Sequence, residues 1–389
     1  MRVLLALSSY KGVMTAREAT EIVARGLGHA GIEIVRLPAA DGGSGTVDAV
    51  LGRPDWVEKT ATVAGPLGGQ VTARWAFSPV VATAVIEMAQ AAGLALLPDD
   101  RRDPMQASTY GVGELIRAAV EAGAQKIIVG LGDSATVDGG IGMCQALGAR
   151  VLDSTGRAVP PGGRGLTRVA ALDLAGLLPA CRDGQVQVVA ACDVDNPLLG
   201  ANGAARVFGP QKGATPEEVR VLEEGLGRWA RVIKAATGRD VAGLPGAGAA
   251  GGLGAALAGV LGAVLQPGAA TVMQLAGFDE ALRGCDLVIT GEGRVDAQTM
   301  HGKAPLAVTR WAQVHGVPVV ILGGQLGPGA EEMTAAGALV VLAGPPPWLA
   351  GGEEFPRRAR EWLYEAARRL GTVLMSRDGT REKAGGKDQ

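Results

Sequence analysis

Short apolar runs alternate along the chain with alanine-rich stretches of helical pattern. The runs at residues 3–6 and 32–37 enclose the stretch 16–27, which Thr15 begins as an N-cap with Glu18 three residues on. Because strands that are joined through helices pair in parallel, this alternation predicts an α/β fold with a mainly parallel sheet. The same pattern predicts strands at residues 126–130, 185–191, 286–290, 317–322 and 338–342, and helices at 111–122, 215–237 and 304–315.

A different pattern occupies residues 56–90. The runs 56–63, 70–77 and 80–88 are strand-like, and Gly-Pro or Pro turns rather than helices separate them. We therefore expect an antiparallel portion of sheet in this part of the chain.

The length of the chain, 389 residues, exceeds the size at which a single hydrophobic core stops growing, so two domains are expected. The first two predicted strands and the last three are alike in style, whereas the middle of the chain is more irregular. We predict one domain from residues 1–57 with 276–375, and a second from the inserted residues 58–275. Residues 376–389 are polar and glycine-rich and are expected to form a frayed tail.

Composition argues against several classes of function. The net charge is −2 and no long basic run occurs, so no nucleic-acid partner is expected. Four widely spaced cysteines and only three histidines argue against a zinc site or a Ser-His-Asp triad. No apolar stretch is long enough for a signal sequence or a membrane span, which predicts a cytoplasmic protein without a membrane partner. Acid–base chemistry is left to Asp, Glu and Lys, an inventory that suits phosphoryl transfer.

The richest candidate site is a glycine-flanked loop predicted at residues 291–303, directly after the apolar run 287–289. Its members are Glu292, Arg294, Asp296 and Lys303, with the polar Gln298 among them and with Gly291 and Gly293 at its start. Cations in such a loop can meet phosphate, and carboxylates can hold a metal ion or a hydroxyl group, while glycines let the backbone approach a ligand. The alternative is a solvated turn with surface ion pairs.

Two further loops are candidates for binding anions. Lys11 stands just before a predicted helix, where a cation and a helix N-terminus can hold an anion together, although a solvated loop lysine is the alternative. The glycine-rich segment 132–142 contains Ser134 and Thr136, whose hydroxyls could cradle a phosphate. Its glycines could equally serve tight packing. Asp-Gly-Gly occurs here at 138–140 and also at 41–43, with different flanking residues.

A last polar group follows the predicted strand 185–191. Asp193, Asp195 and Asn196 offer oxygen ligands for Mg²⁺ or a general base, and Lys212 follows in the segment 208–213. The alternative is a set of Asx turns before Pro197.

Two common nucleotide-binding motifs fit the chain poorly. A Walker A loop fails at Gly302-Lys303, because positions 297 and 304 are both alanine. A Gly-x-Gly-x-x-Gly pattern occurs at residues 246–251 but does not follow an apolar strand. An NAD-type oxidoreductase is therefore the least favoured of the three hypotheses for the function of this chain.

Through these segments, the chain resembles the type I glycerate kinase family from the first strand to about residue 345. The matching motifs are Lys11-Gly12, Asp41-Gly42-Gly43, Cys192-Asp193-Val194 with Asn196-Pro197-Leu198, the segments 208–214 and 244–254, and the loop 291–303. The resemblance implies phosphorylation of glycerate with ATP and Mg²⁺. It also implies a flavodoxin-like domain and a restriction-endonuclease-like domain with the site in the cleft between them.

Four positions depart from the family pattern. Ser8 and Ser44 stand where the family usually has Asp and Glu, Asp133 replaces a glycine, and Val137 replaces an asparagine. These changes motivate a second hypothesis, a degenerate relative that binds nucleotide or a hydroxy acid without efficient turnover. His301 lies at a variable position and receives no role.

The preferred hypothesis is a kinase acting on glycerate. Lys11, Lys212, Arg294 and Lys303 would neutralise phosphates and the substrate carboxylate, with contacts from Ser134, Thr136, Gly291, Gly293, Asn196 and Gln298. Asp193 or Asp296 would orient the attacking hydroxyl, and Asp41 or Glu292 would support Mg²⁺. Which hydroxyl is phosphorylated is left open, as is the oligomeric state, for which a homodimer is one option.

Overall fold

A computed structural model describes residues 1–28, 31–300, 302–342, 344 and 354–384. Contacts divide the chain into a terminal unit, Met1–Ala40 with Val272–Gln389, and a central unit, Asp41–Thr271. The sequence predicted domain boundaries at 57/58 and 275/276, whereas the contacts separate the units at 40/41 and 271/272. The predicted boundaries stay a prediction.

The order of elements is the alternation of strands and helices that the sequence predicted. The strands are β1 Arg2–Leu7, β2 Glu33–Arg36, β3 Val57–Ala64, β4 Gln70–Ser78, β5 Thr83–Glu87, β6 Lys126–Gly130, β7 Arg150–Asp153, β8 Val169–Asp173, β9 Gln187–Ala191, β10 Val264–Gln266, β11 Leu287–Val295, β12 Val319–Leu326 and β13 Ala338–Leu342. The helices are α1 Ala16–Leu27, α2 Thr46–Val50, α3 Ala89–Ala92, α4 Tyr110–Glu121, α5 Ile141–Ala146, α6 Gly163–Leu166, α7 Pro179–Arg182, α8 Ala204–Phe208, α9 Pro216–Thr237, α10 Ala249–Leu261, α11 Gly268–Ala276, α12 Phe278–Leu282, α13 Ala304–Val314, α14 Glu331–Ala335 and α15 Phe355–Ala384.

The terminal unit contains a parallel sheet in the order β13-β12-β11-β1-β2. Its strands come from both ends of the chain, with Val3 paired to Leu287, as the similarity between the first and last predicted strands had indicated. Buried apolar side chains form one cluster that includes α12 and α13 and another that includes α1 and α15. Burial on both faces explains why these strands are almost continuously apolar.

Helix α1 begins as its sequence predicted. The Thr15 side chain accepts from the Glu18 backbone N–H, and the Glu18 carboxylate accepts from the Thr15 N–H, which completes a capping box. A Cβ atom at Gly26 would lie 2.6 Å from Ala367 Cβ, so this glycine allows α1 to pack closely on α15. Helix α15 continues to Ala384, so residues 376–384 are helical rather than a frayed tail. The rest of the predicted tail lies outside the described residues.

The central unit contains a mixed sheet in the order β10-β9-β6-β5-β4-β3. Strands β3, β4 and β5 are antiparallel, which confirms the prediction for residues 56–90, and the remaining neighbours are parallel. A separate antiparallel ribbon joins β7 and β8. The long helix α9 begins with a second capping box, formed by Thr215 and Glu218. The α/β fold class with two units is therefore confirmed.

None of the helices in the described ranges combines the length and the apolar character that a membrane crossing requires.

Candidate functional site

In the terminal unit, β11 continues through the segment that the sequence predicted as a loop. Glu292 is paired in register with Gly323 of β12, and Arg294 with Gln325. The loop prediction was wrong here because Gly291 and its neighbours interrupt the apolar pattern without interrupting the parallel hydrogen bonding of the backbone. Glu292 and Arg294 are thus held on a strand, and only residues beyond Val295 form a turn.

Glu292 is a buried carboxylate with polar partners. Its side chain is 9% exposed, and Oε1 accepts a hydrogen bond of 2.6 Å from Thr299 Oγ1. Its Oε2 lies 3.6 Å from Lys303 Nζ, at the start of α13. The structure therefore brings Glu292 and Lys303 together, and the pairing offsets part of the cost of burying the carboxylate.

Arg294 and Asp296 form an ion pair at the end of β11. Arg294 Nε lies 3.0 Å from Asp296 Oδ2, and the Arg294 side chain is 59% exposed. The other oxygen of Asp296 accepts from the backbone N–H of Gln298, and Thr299 Oγ1 accepts from the N–H of Asp296. These bonds orient the Asp296 carboxylate while leaving the guanidinium accessible to solvent. Gln298 itself is exposed, and His301 lies outside the described residues.

The segment that carries Lys11 lies against β11. The backbone N–H and the hydroxyl of Ser8 both donate to the carbonyl oxygen of Gly291, each over 2.9 Å. The Tyr10 hydroxyl donates to the carbonyl oxygen of Leu322 over 2.7 Å. Burial raises the pKa of Tyr10, and repulsion from Glu292 adds to this effect. Ser8 therefore serves as a donor to the backbone, and the exposed Lys11 stands next to a rigid turn.

Gly291 and Gly293 serve close packing within the terminal unit. A Cβ atom at Gly291 would lie 2.4 Å from the Leu322 carbonyl oxygen, and one at Gly293 would lie 3.3 Å from Tyr10 Cα. The first of these distances excludes a side chain at Gly291, and the second leaves little room at Gly293. Tight packing is what the structure assigns to these glycines.

In the central unit, glycines bring the segment 41–45 against the loop that follows β6. A Cβ atom at Gly130 would lie 2.3 Å from the carbonyl oxygen of Gly42, and one at Gly132 would lie 2.3 Å from Gly43 Cα. The Gly132 N–H also donates to the Gly42 carbonyl over 3.1 Å. Backbone contact this close requires residues without side chains, so the two segments pack directly against each other through glycines.

Lys212 is buried behind this loop. Its side chain is 2% exposed, and Nζ donates to Ser134 Oγ over 2.7 Å and to the Thr136 carbonyl oxygen over 2.8 Å. Burial lowers the pKa of Lys212 to about 7, and the nearby Asp138 acts in the opposite direction. The structure thus brings Lys212 together with Ser134 and Thr136, which the sequence placed in a separate segment, and the ammonium group faces the loop from the protein interior. Within the described residues, the buried Thr136 Oγ1 has no hydrogen-bond partner.

Asp138 is a buried, hydrogen-bonded carboxylate that the sequence analysis did not identify as a candidate site residue. It is fully buried, and its carboxylate accepts from the N–H and hydroxyl of Thr109 and from the N–H groups of Gly140 and Gly142. Burial raises its pKa, whereas these hydrogen bonds act against the rise. The repeated Asp-Gly-Gly was the available sequence signal. Its neighbour Val137 lies in the apolar core, so that departure from the family pattern adds core packing.

Asp193 lies at the N-terminus of α11. Its Oδ1 accepts from the Gly268 N–H over 2.8 Å and its Oδ2 from the Ala269 N–H over 2.9 Å. Burial raises the pKa of Asp193 to about 6, and repulsion from Asp41 contributes. These two carboxylates, predicted from separate loops, therefore lie close enough to interact.

Asn196 supports the chain around Pro197. Its side-chain amide donates to the Asn202 carbonyl oxygen over 2.8 Å, and its own carbonyl accepts from the Gly248 N–H over 2.9 Å. These bonds give Asn196 a structural role, but neither of them is the Asx turn that the sequence alternative named. Among the described residues, no cluster of three His, Cys, Asp or Glu side chains could hold a metal ion by itself.

The Gly-x-Gly-x-x-Gly segment, residues 246–251, packs on the loop that contains Thr136. Ala250, Gly251 and Gly252 have left-handed backbone angles at the start of α10, and a Cβ atom at Gly251 would lie 1.9 Å from the Thr136 carbonyl oxygen. The segment follows α9 rather than a strand, so it lacks the strand–turn–helix setting of a dinucleotide-binding motif.

Comparison with known proteins gives a consistent result. The sequence model of the Glycerate kinase family matches residues 3–375. A glycerate kinase from Halalkalibacterium halodurans is 42% identical over 95% of this chain and 97% of its own length. A glycerate 2-kinase from Escherichia coli is 45% identical over 84% of this chain and 86% of its own length. A crystal structure of a protein assigned as glycerate kinase 2 from Salmonella typhimurium LT2 matches with a TM-score of 0.81 at 39% identity, covering 97% of this chain and 99% of that one.

Proposed function

The chain belongs to the glycerate kinase family, and on that basis we propose that it transfers the γ-phosphoryl group of ATP to a hydroxyl group of glycerate. The observation that carries the proposal is the match to the family over residues 3–375, which includes both units. The name of the Escherichia coli relative, glycerate 2-kinase, favours the 2-hydroxyl as the acceptor. A cytoplasmic location, where ATP is the available donor, belongs to the same proposal.

The cations of the terminal unit are proposed to neutralise phosphate and carboxylate groups. Arg294 suits this role because its guanidinium is solvent-accessible and always charged, and because its pairing with Asp296 limits its conformations. Lys303 and Lys11 would supply further positive charge. Positioned charge of this kind carries most of the catalysis in phosphoryl transfer, since the protein contributes little covalent chemistry.

In the central unit, the segment of Ser134 and Thr136 is proposed to contact phosphate through its backbone and hydroxyl groups. Among the described residues, Thr136 Oγ1 has no hydrogen-bond partner, which supports the presence of a polar ligand near this segment. Lys212 would act on that ligand through the loop, because its ammonium group already donates to Ser134 and to the Thr136 carbonyl.

The carboxylate that orients and deprotonates the attacking hydroxyl is proposed to be Asp193 or Asp296. A pKa of about 6 suits Asp193, because a base with a pKa near the working pH combines ionisation with proton affinity. Asp296 is oriented by Arg294 and by the Gln298 N–H, which favours it on geometry.

Mg²⁺ is the expected cation, and the chain offers carboxylate oxygens that fit it. Mg²⁺ is commonly held by one or two carboxylates together with substrate phosphates, so a complete protein cage is not required. Asp41 or Glu292 would serve as such a carboxylate. When bound, Mg²⁺ would neutralise charge on the phosphate oxygens.

The experiment that tests this function is ³¹P NMR of the protein with ATP, Mg²⁺ and D-glycerate. We expect a new phosphomonoester signal, split by one proton if the 2-hydroxyl is phosphorylated and by two if the 3-hydroxyl is. A sample without glycerate reports background hydrolysis of ATP. If ATP stays intact for hours while nucleotide or glycerate still binds, the degenerate-relative hypothesis replaces the kinase.

A further inference from the structure

Two of the departures from the family pattern are in contact with each other. Oδ2 of Asp133 accepts a hydrogen bond of 2.8 Å from the Ser44 hydroxyl and one of 3.1 Å from the Ser44 backbone N–H. The residues are 89 positions apart, on the two segments of the central unit that pack through glycines. This contact therefore ties the segment 41–45 to the loop after β6 by side-chain bonds as well as by backbone contact.

The backbone at Asp133 is strained. Its φ of 58° lies in the left-handed region, where the Cβ of a residue other than glycine is crowded. Asp is one of the few residues that adopt this conformation, and such strain persists when surrounding contacts fix it. The bonds from Ser44 to the carboxylate, together with the bond from the Leu94 N–H to the Asp133 carbonyl oxygen, hold Asp133 in this structure.

Asp133 also stands close to Asp41. A Cβ atom at Gly43 would lie 3.1 Å from Asp133 Oδ2 and 3.1 Å from Asp41 Oδ1. Asp41 Oδ1 accepts from the Gly43 N–H, so both carboxylates lie next to Gly43. A movement of Ser44 away from Asp133 would displace the segment that Asp41 holds.

We propose that Asp133 is a positioning residue for the segment 41–45, and that it supplies from the neighbouring loop the carboxylate that the family pattern has at position 44. The family pattern has Glu at position 44 and Gly at position 133, whereas this chain has Ser44 and Asp133. Each arrangement therefore contains one carboxylate. The inference rests on the proposed function in one respect, since Asp41 is the group whose position would affect catalysis.

The test compares Asp133→Gly, Ser44→Glu and the double variant with the starting protein. Glycine accepts a φ of 58° without strain, so Asp133→Gly is expected to fold. We expect each single variant to lower kcat/KM about tenfold, because small errors in positioning cost one to two orders of magnitude, and the loss should fall mainly on kcat. The double variant should return to within about threefold of the starting value. If the losses of the two single variants simply multiply in the double variant, Asp133 does not take the place of a carboxylate at position 44, and the proposal is overturned.

Asp153→Asn is a matched control. Asp153 also accepts from a backbone N–H and a hydroxyl, those of Thr155, in the exposed turn after β7. It should leave kcat unchanged. Asp133→Asn, which keeps an acceptor oxygen, should retain more activity than Asp133→Gly.

Hydrogen exchange separates this inference from the proposed function. The Ser44 amide should exchange at least tenfold faster in Asp133→Gly than in Asp133→Asn. That result would support positioning even if the starting protein left glycerate unphosphorylated, which would refute the proposed function alone. Equal exchange at Ser44 in Asp133→Gly and the starting protein would overturn the positioning role.

Discussion

Lys212 donates a hydrogen bond of 2.7 Å to the hydroxyl of Ser134 from a side chain that is almost completely buried. An ammonium group in such surroundings loses its hydration, and two acceptors replace only part of it. The same bonds hold the loop that contains Thr136. Lys212 consequently links the protonation of a buried group to the conformation of a proposed phosphate-binding segment.

Stability should depend on pH through Lys212. Its pKa is about 7 in the folded protein and 10.5 in the unfolded chain, so between these values the unfolded state binds more protons. The free energy of unfolding contributed by this group therefore rises as the pH increases from about 7 towards 10. Urea unfolding of the starting protein and of Lys212→Met at pH 7, 8 and 9 measures it. A difference between the two that is constant over this range would contradict the prediction.

Asp193 should shape the pH profile of catalysis if it is the base. With a pKa raised to about 6, kcat/KM should increase as the pH rises through 6 and level off above 7. Asp193→Asn should lower kcat by about 10²–10⁴-fold and remove this limb. The exposed Asp195 offers the matched control, because Asp195→Asn removes a carboxylate two residues away. Full activity in both Asp193→Asn and Asp296→Asn would refute the base assignment.

Arg294 should contribute to kcat/KM through its positive charge and through the paired N–H donors of its guanidinium group. Arg294→Ala is expected to lower kcat/KM by about 10²-fold or more, the usual effect of losing one donor to a transition-state oxygen. Arg294→Lys should recover only part of that loss, because an ammonium group cannot form the same paired bonds. Steady-state kinetics with ATP and glycerate measure both. The exposed Arg310 on α13 is the control, and an Arg294→Ala variant as active as Arg310→Ala would contradict the proposal.

Asp138 should contribute to stability rather than to chemistry. Asp138→Asn introduces an NH₂ group where backbone and hydroxyl donors already converge, so at least one donor loses its acceptor. We expect the free energy of unfolding to fall by about 1–3 kcal/mol. Urea denaturation at pH 7.5 measures this change, with Asp153→Asn as the exposed control. An unchanged unfolding midpoint would show that the buried hydrogen bonds contribute little.

Local signals in the sequence predicted much of the fold. The N-caps at Thr15 and Thr215 mark helix starts correctly because they depend on side chains within four residues of each other. The extension of β11 to Val295 was missed, since it depends on pairing with β12, and glycines carry no apolar signal. Strand ends are set by the neighbouring strand as much as by the strand's own residues.

The chemistry of the site was predictable by residue type but not by contact. Asp41 and Asp193 came from separate lines of sequence reasoning, and only the fold brings them close enough to interact. Glu292 and Lys303 were predicted in one loop, but the contact between them was not. The burial of Lys212 was not foreseen, because lysines are rarely buried unless their charge is paired. The bond between Ser44 and Asp133 joins two residues that looked in the sequence like independent departures from the family pattern.

The pairing of Val3 with Leu287 imposes an order on folding during synthesis. Strand β1 leaves the ribosome first, yet its neighbour β11 is made only after the whole of Asp41–Thr271. That contiguous segment has its own core and can fold as it emerges. Until β11 arrives, β1 can pair only with β2, and the backbone groups on its other edge stay unpaired. The parallel sheet that contains β1 and β2 is therefore completed only after the whole central unit has been synthesised.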